Sequence, residues 1–166
     1  MNKTRTEAVA FARAFKKLYH DTDVKTAICA PFVHLETLKG IFDGTGIQVG
    51  AQNVHYEDAG AFTGEVSAPM LEELQVDCCI IGHSERRQYF GETDETVNLK
   101  LHKLFDSTSI FPILCVGEGL SQREAGQEKE VVEAELRADL NGLKQEDIAK
   151  LVVAYEPIWA IGTAPT

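Results

Sequence analysis

The feature that most constrains this chain is its alternation of short apolar runs with helical stretches. Predominantly apolar segments occur at residues 24–30, 47–51, 76–82, 110–116 and 151–155. Between them, apolar residues recur at the three- and four-residue spacing of one helix face. Thr4-Arg5-Thr6-Glu7 has the pattern of a capping box. Ala8, Phe11, Ala12, Phe15, Leu18 and Tyr19 follow it at helical spacing, so an amphipathic helix precedes the first apolar run. Further helices are predicted over 33–41, 68–75, 93–105, 127–140 and 145–150. Alternation of this kind argues for a parallel α/β sheet covered by helices. Strands without polar alternation are expected to be buried on both faces. An open doubly wound sheet and a closed (β/α)8 barrel both fit, and five strands are too few to close a barrel of eight. No linker or low-complexity segment divides residues 1–166, so they read as a single domain. Both ends look abrupt, as in an α/β unit cut on each side.

Charge removes some functions. Sixteen Lys and Arg stand against 26 Asp and Glu, a formal charge of −10. A basic footprint for nucleic acid is absent. An anionic ligand would need local help from helix N-termini and backbone N–H groups. No apolar run approaches the ~18 residues of a membrane span, and residues 1–7 lack the apolar core of a secretory signal. Cys29, Cys78, Cys79 and Cys115 lie in apolar runs and show neither zinc spacing nor CxxC. Four buried thiols in a reducing cytoplasm are the expectation.

Ligands of parallel α/β folds bind beyond the carboxyl ends of the strands. The residues after the last three runs are therefore the candidates. His83, Ser84 and Glu85 follow the run 76–82, Gly117 and Glu118 follow 110–116, and Glu156 follows 151–155. Pro157 restricts Glu156 to extended backbone, which limits the direction of its carboxylate. The apolar loop Ile158-Trp159-Ala160-Ile161, ending at Gly162, reads as a lid that excludes water. A carboxylate in a dry pocket is a stronger base than one in water. His83 stands where a helix begins, and backbone N–H dipoles there disfavour the imidazolium form. A helix-capping glutamate and a locally satisfied histidine are the bland readings of the same positions. Gly82-His83-Ser84-Glu85-Arg86 also sits where a nucleophile elbow would, but Arg86 replaces the final glycine. His83-x-Glu85 matches half of a zinc-deaminase motif, whose P-C-x-x-C half is missing.

Several stretches taken in order resemble one family. They are Gly50-Ala51-Gln52-Asn53, Gly60-Ala61-Phe62-Thr63-Gly64-Glu65, Gly82-His83-Ser84-Glu85-Arg86-Arg87 and Glu92-Thr93-Asp94-Glu95. Cys115-Val116-Gly117-Glu118 and Ala154-Tyr155-Glu156-Pro157-Ile158-Trp159-Ala160-Ile161-Gly162-Thr163 complete the set. The chain resembles the triose-phosphate isomerase family over essentially its whole length. The resemblance implies a partial (β/α)8 TIM barrel, with about five of the eight parallel strands. It implies cofactor-free interconversion of dihydroxyacetone phosphate and D-glyceraldehyde 3-phosphate, a step of glycolysis and gluconeogenesis, in the cytoplasm. Glu156 then matches the base and His83 the neutral electrophile. Glu85 matches a further site carboxylate, Cys115 a buried thiol behind the base, and Ser84 a supporting residue. Gly162 would offer its N–H to the substrate phosphate. The loop 53–67 resembles a homodimer loop, in which Thr63 reaches the neighbour's site and Glu65 pairs with Arg86 across the interface.

The sequence also departs from the family. The family's Asn-x-Lys strand and its last two strands, with their phosphate loops, have no counterpart here. Gly162-Thr163-Ala164-Pro165 differs from the usual Gly-Thr-Gly-Lys. Those losses lead to the expectation of a poor catalyst or none, and to the alternative of a non-catalytic, oligomerising remnant.

Overall fold

The computed structural model describes residues 1–161. Five parallel strands lie in the order β1-β2-β3-β4-β5, an open part of a (β/α)8 barrel. They are β1 (Thr26–Ala30), β2 (Ile47–Ala51), β3 (Cys78–Ile81), β4 (Phe111–Val116) and β5 (Val152–Tyr155). The helices are α1 (Arg5–Leu18), α2 (Leu35–Phe42), α3 (Ala68–Glu73), α4 (Ser84–Phe90), α5 (Asp94–Ser107), α6 (Leu120–Glu124), α7 (Glu128–Asp139) and α8 (Gln145–Ile148). Sequential parallel strands need helical crossovers, and each connection between neighbouring strands here carries at least one helix.

The core lies between the sheet and its helices. Leu35 and Leu38 of α2, Val49 of β2, Ile81 of β3, Leu101 of α5 and Leu114 of β4 are among its buried members. On α1, Ala8 and Ala12 are buried, and Phe15 meets Phe42 edge-on at 6.4 Å. The small alanines let the helix approach α2 closely. Phe11 and Leu18, expected on the same apolar stripe, are exposed. The carboxylate of Glu7 accepts from the Thr4 N–H at 2.7 Å, as the capping pattern predicts.

Several expectations need correction. The first strand starts at Thr26 rather than residue 24, because a local turn in which the Val24 N–H donates to the Thr22 hydroxyl (3.2 Å) occupies the preceding backbone. The helix expected at 33–41 opens as a 3-10 turn, Phe32–His34, behind Pro31. The helical stretch after β3 is divided into α4, which begins behind His83 as expected, and α5. Gly91 ends α4 in the left-handed region (φ 67°), and Thr93 caps α5 by accepting from the Thr96 N–H at 3.3 Å. The short α6 had no periodic signal. Burial on both faces holds only for the middle of the sheet: Val152 and Val153 of β5 are each 47% exposed. Cys29 is half-buried rather than buried, unlike the other three free thiols.

Candidate active site

The site forms where β3, β4 and β5 end. Gly82, directly after β3, has φ 75°, a conformation that favours glycine. The Arg87 Nε donates to the Gly82 carbonyl at 2.9 Å and fixes the turn. His83 then caps α4. Its Nδ1 accepts from the Glu85 N–H at 3.2 Å. An accepting Nδ1 carries no proton, so the ring proton of the neutral imidazole sits on Nε2. That Nε2 lies 2.9 Å from Glu156 Oε1. The other carboxylate oxygen, Oε2, accepts from the Ser84 N–H at 3.0 Å. One carboxylate is thus shared between a ring N–H and the first backbone N–H of a helix.

The β4 end makes room for this glutamate. The Glu156 N–H donates to the Val116 carbonyl at 2.8 Å. A Cβ on Gly117 would stand 1.8 Å from the Glu156 carbonyl oxygen, so only glycine fits. The Gly117 N–H donates to Glu135 Oε2 at 2.9 Å. Cys115 is buried, and burial first, then the nearby Glu156 charge, push its thiol up to about 12. Glu118 is fully buried. It accepts from the Tyr155 hydroxyl (2.9 and 3.0 Å) and from Trp159 Nε1 (2.8 Å), while its carbonyl accepts from the Ile158 N–H at 3.2 Å. Burial acts to raise the Glu118 carboxyl, but the Trp159, backbone and Tyr155 hydrogen bonds and the Arg123 charge outweigh it and hold it below its ordinary value. Arg123 also lies over the Trp159 ring at 5.6 Å. The segment after β5 is therefore moored to the end of β4.

A cleft of about 340 Å³ opens beside His83, lined in part by Glu85, Gln52, Asn53, Arg86 and Phe90. Glu85 is exposed on its wall. Behind the cleft runs a buried chain of polar groups. Lys100 Nζ donates to Asn53 Oδ1 at 2.8 Å and to Glu92, whose other oxygen lies 3.2 Å from Arg86 Nε. Arg86 is thus ion-paired within its own chain. Thr63 and Glu65 are exposed on the loop 53–67, and Glu65 lies 3.9 Å from His55 Nδ1. Gly162 lies outside the described residues. Among those described, no group of three or more His, Cys, Asp or Glu residues could hold a metal ion.

The residue-level reading placed Glu118 at a strand end but not its burial or its partners, which lie 37 and 41 residues away, and it missed two further buried charges. Lys100 and Asp139 did carry a signal. Lys100 falls on the stripe of Val97, Leu101 and Leu104, and Asp139 on that of Val132 and Leu136, so each is a charge on a core-facing helix stripe. Asp139 accepts from Arg87 Nη2 at 2.9 Å, and Arg87 also bonds Asp94. Burial pushes the Asp139 carboxyl up to about 7, against the opposing Arg87 charge.

Comparison with known proteins shows the family. The family model described as triosephosphate isomerase matches residues 1–166. The chain is 54% identical over 166 residues to a protein of Acetivibrio thermocellus named triosephosphate isomerase. It is 51% identical to one of Clostridium beijerinckii and 50% identical to one of Alkaliphilus metalliredigens, both of the same name. Each match covers 100% of this chain and 66% of the relative, so the chain spans just under two thirds of their length. The match over residues 1–166 leads to one conclusion: the chain belongs to the triosephosphate isomerase family.

Proposed function

We propose that the site performs the family's aldose–ketose isomerisation, interconverting dihydroxyacetone phosphate and D-glyceraldehyde 3-phosphate in glycolysis and gluconeogenesis. The observation that carries this reading is the His83–Glu156 pair at 2.9 Å, with His83 Nδ1 satisfied by a backbone N–H. A carboxylate base beside a neutral imidazole is the family's established chemistry. Glu156 removes a proton from the carbon next to the carbonyl and returns it to the neighbouring carbon. Charge develops on the carbonyl oxygen as the proton leaves, and His83 Nε2–H donates to it. The imidazole suits that role because its proton is already on the nitrogen that faces the site. Glu85 lies on the cleft wall as the further site carboxylate. Cys115 and Ser84 support the base, one from below and one through its N–H.

To act, Glu156 must release Ser84 and His83. In the present arrangement its side chain is 12% exposed and that of His83 is 28% exposed. Closure of the segment from Ile158 onward, with Gly162 on the phosphate, is the step that dries the site. Closure would have to keep or replace the hydrogen bond from Trp159 Nε1 to Glu118.

The proposal extends to a second copy as partner, through the loop 53–67. The loop is braced rather than loose: the His55 ring lies 4.4 Å from both Tyr56 and Phe62. Phe62, Thr63 and Glu65 are exposed near its tip. No described helix is long and apolar enough to cross a membrane. A cytoplasmic location is part of the same proposal, supported by four free cysteines.

The test is turnover of either triose phosphate by the purified chain, with Glu156→Gln as control. Removing the base is expected to lower kcat by at least about 10²–10⁴-fold. Equal turnover in the variant would sink the assignment of Glu156. A chain without turnover would favour the non-catalytic reading instead.

A further inference from the structure

Cys29 and Cys78 do not touch the catalytic carboxylate, yet their sulfurs lie 3.9 Å apart. They stand on alternate strands. Cys29 of β1 pairs in register with Gly50 of β2, and Gly50 pairs with Cys78 of β3. Residues opposite one another in register point to the same face, so both thiols lean over Gly50. A Cβ there would lie 2.5 Å from Cys29 Sγ and 2.6 Å from Cys78 Sγ. The glycine is therefore what lets the two sulfurs meet.

The span selects the chemistry. Strands in a sheet are about 4.8 Å apart, which puts these two Cα atoms roughly 9–10 Å apart. A disulfide needs about 7 Å or less. The pair is too wide for a direct S–S bond, but its sulfurs suit a bridge of one atom. Two sulfurs each bonded at about 2.3 Å to one atom can lie no more than about 4.6 Å apart, so the observed separation is within reach of a one-atom bridge. A metal ion would want a third or fourth protein donor, and none is grouped with these thiols among the described residues. A trivalent arsenical needs only two sulfurs, because its third position is filled by its own organic group.

We propose that the Cys29–Cys78 pair over Gly50 is a dithiol site for trivalent organic arsenicals. The arsenic–oxygen bonding of the arsenoxide is replaced by two arsenic–sulfur bonds. The two thiol protons leave with the oxygen as water, and nothing is oxidised or reduced. Entry is from the Cys29 side, where the residue is half-buried while Cys78 is buried. The thiols share a hydrogen bond, which holds Cys29 below its ordinary pKa and raises Cys78, so the more accessible sulfur is the readier nucleophile. Cys79 and Cys115 are not part of the site. Cys79 is fully buried among the core residues and directs its thiol to the Ile80 carbonyl at 3.6 Å. Cys115 lies behind Glu156.

Phenylarsine oxide titrated into the folded full chain tests this. One arsenical per chain is expected, stable in excess 2-mercaptoethanol and released by 1,2-ethanedithiol. Peptide mapping of the adduct should link the Cys29 and Cys78 peptides through arsenic. Cys29→Ser should weaken binding by about 10²–10⁴-fold, the usual worth of a second tethered contact. Cys79→Ser should leave it unchanged. Mapping of the wild-type adduct decides the matter even if a variant folds poorly. An adduct on other cysteines, or no adduct on the folded chain, would overturn the site.

Discussion

The middle of the sheet and its β5 edge are built from the same kinds of residue but hold together differently. Around β3 and β4, apolar side chains are buried and the charges behind them are paired, as in Asn53–Lys100–Glu92 and Arg87–Asp139. At β5, Val152, Val153 and Tyr155 are exposed, and Val116, Val132, Leu136, Leu140, Val153 and Tyr155 line an open apolar groove of about 870 Å³. The proposed catalytic pair straddles the two regions: His83 belongs to the buried centre and Glu156 to the edge. The difference teaches that one half of the candidate machinery is fixed by a core, while the other hangs on a few specific contacts. Those contacts are the Val116–Glu156 backbone bond, the bare face of Gly117 and the anchor of Glu118.

The largest expected effect lies in the buried centre. Lys100→Met leaves Glu92 as a buried charge with one partner fewer, and should cost about 3–5 kcal/mol in chemical denaturation. A cost below about 1 kcal/mol would show that the network is not load-sharing, and the contrast between regions would weaken. Gly117→Ala comes next. Its Cβ would strike the Glu156 carbonyl, so about 1–3 kcal/mol of overpacking is expected. If the chain turns over substrate, a displaced base should also lower kcat by about 10²-fold. An unchanged midpoint would mean that β5 shifts freely, which would sharpen the view of the edge as adaptable.

Asp139 tests the centre by pH. Its carboxyl is raised from 3.8 to about 7 by burial, so the folded chain binds a proton there more tightly than the unfolded chain does. Its stabilising contribution is full below the unfolded value and is lost as pH rises toward 7. The slope from this one group is at most about 1.4 kcal/mol per pH unit. Stability measured from pH 4 to 7 should fall less steeply in Asp139→Asn than in the parent, and parallel curves would remove Asp139 from the account. The smallest effect is expected at the edge. Val153→Ser should change stability by no more than about 0.5 kcal/mol, as for an ordinary surface position. A loss of 2 kcal/mol or more, on the scale of about 2–5 kcal/mol for core truncations, would show that the groove is filled in solution.

Much of this molecule was legible from local pattern. Predominantly apolar runs separated by helical periodicity argue for a parallel, helix-covered sheet, because strands buried on both faces lack regular polar alternation. Strand ends then located His83 and Glu156, since ligands of parallel sheets gather there. The motifs set the family. Local pattern alone did not reveal that Glu118 would be the anchor of Trp159, because a hydrogen bond between residues 41 apart has no signature in either stretch. Nor did it reveal that Lys100 and Asp139 would be buried, although their places on apolar stripes hinted at it. The exposure of β5 and the meeting of Cys29 with Cys78 over Gly50 also belong to tertiary structure. Propensity and periodicity act between neighbours, so the sequence by itself determined the elements, their order and the residues at the strand ends. Burial, pairing and the distance between sulfurs depend on which elements lie side by side, and only the assembled sheet decided those.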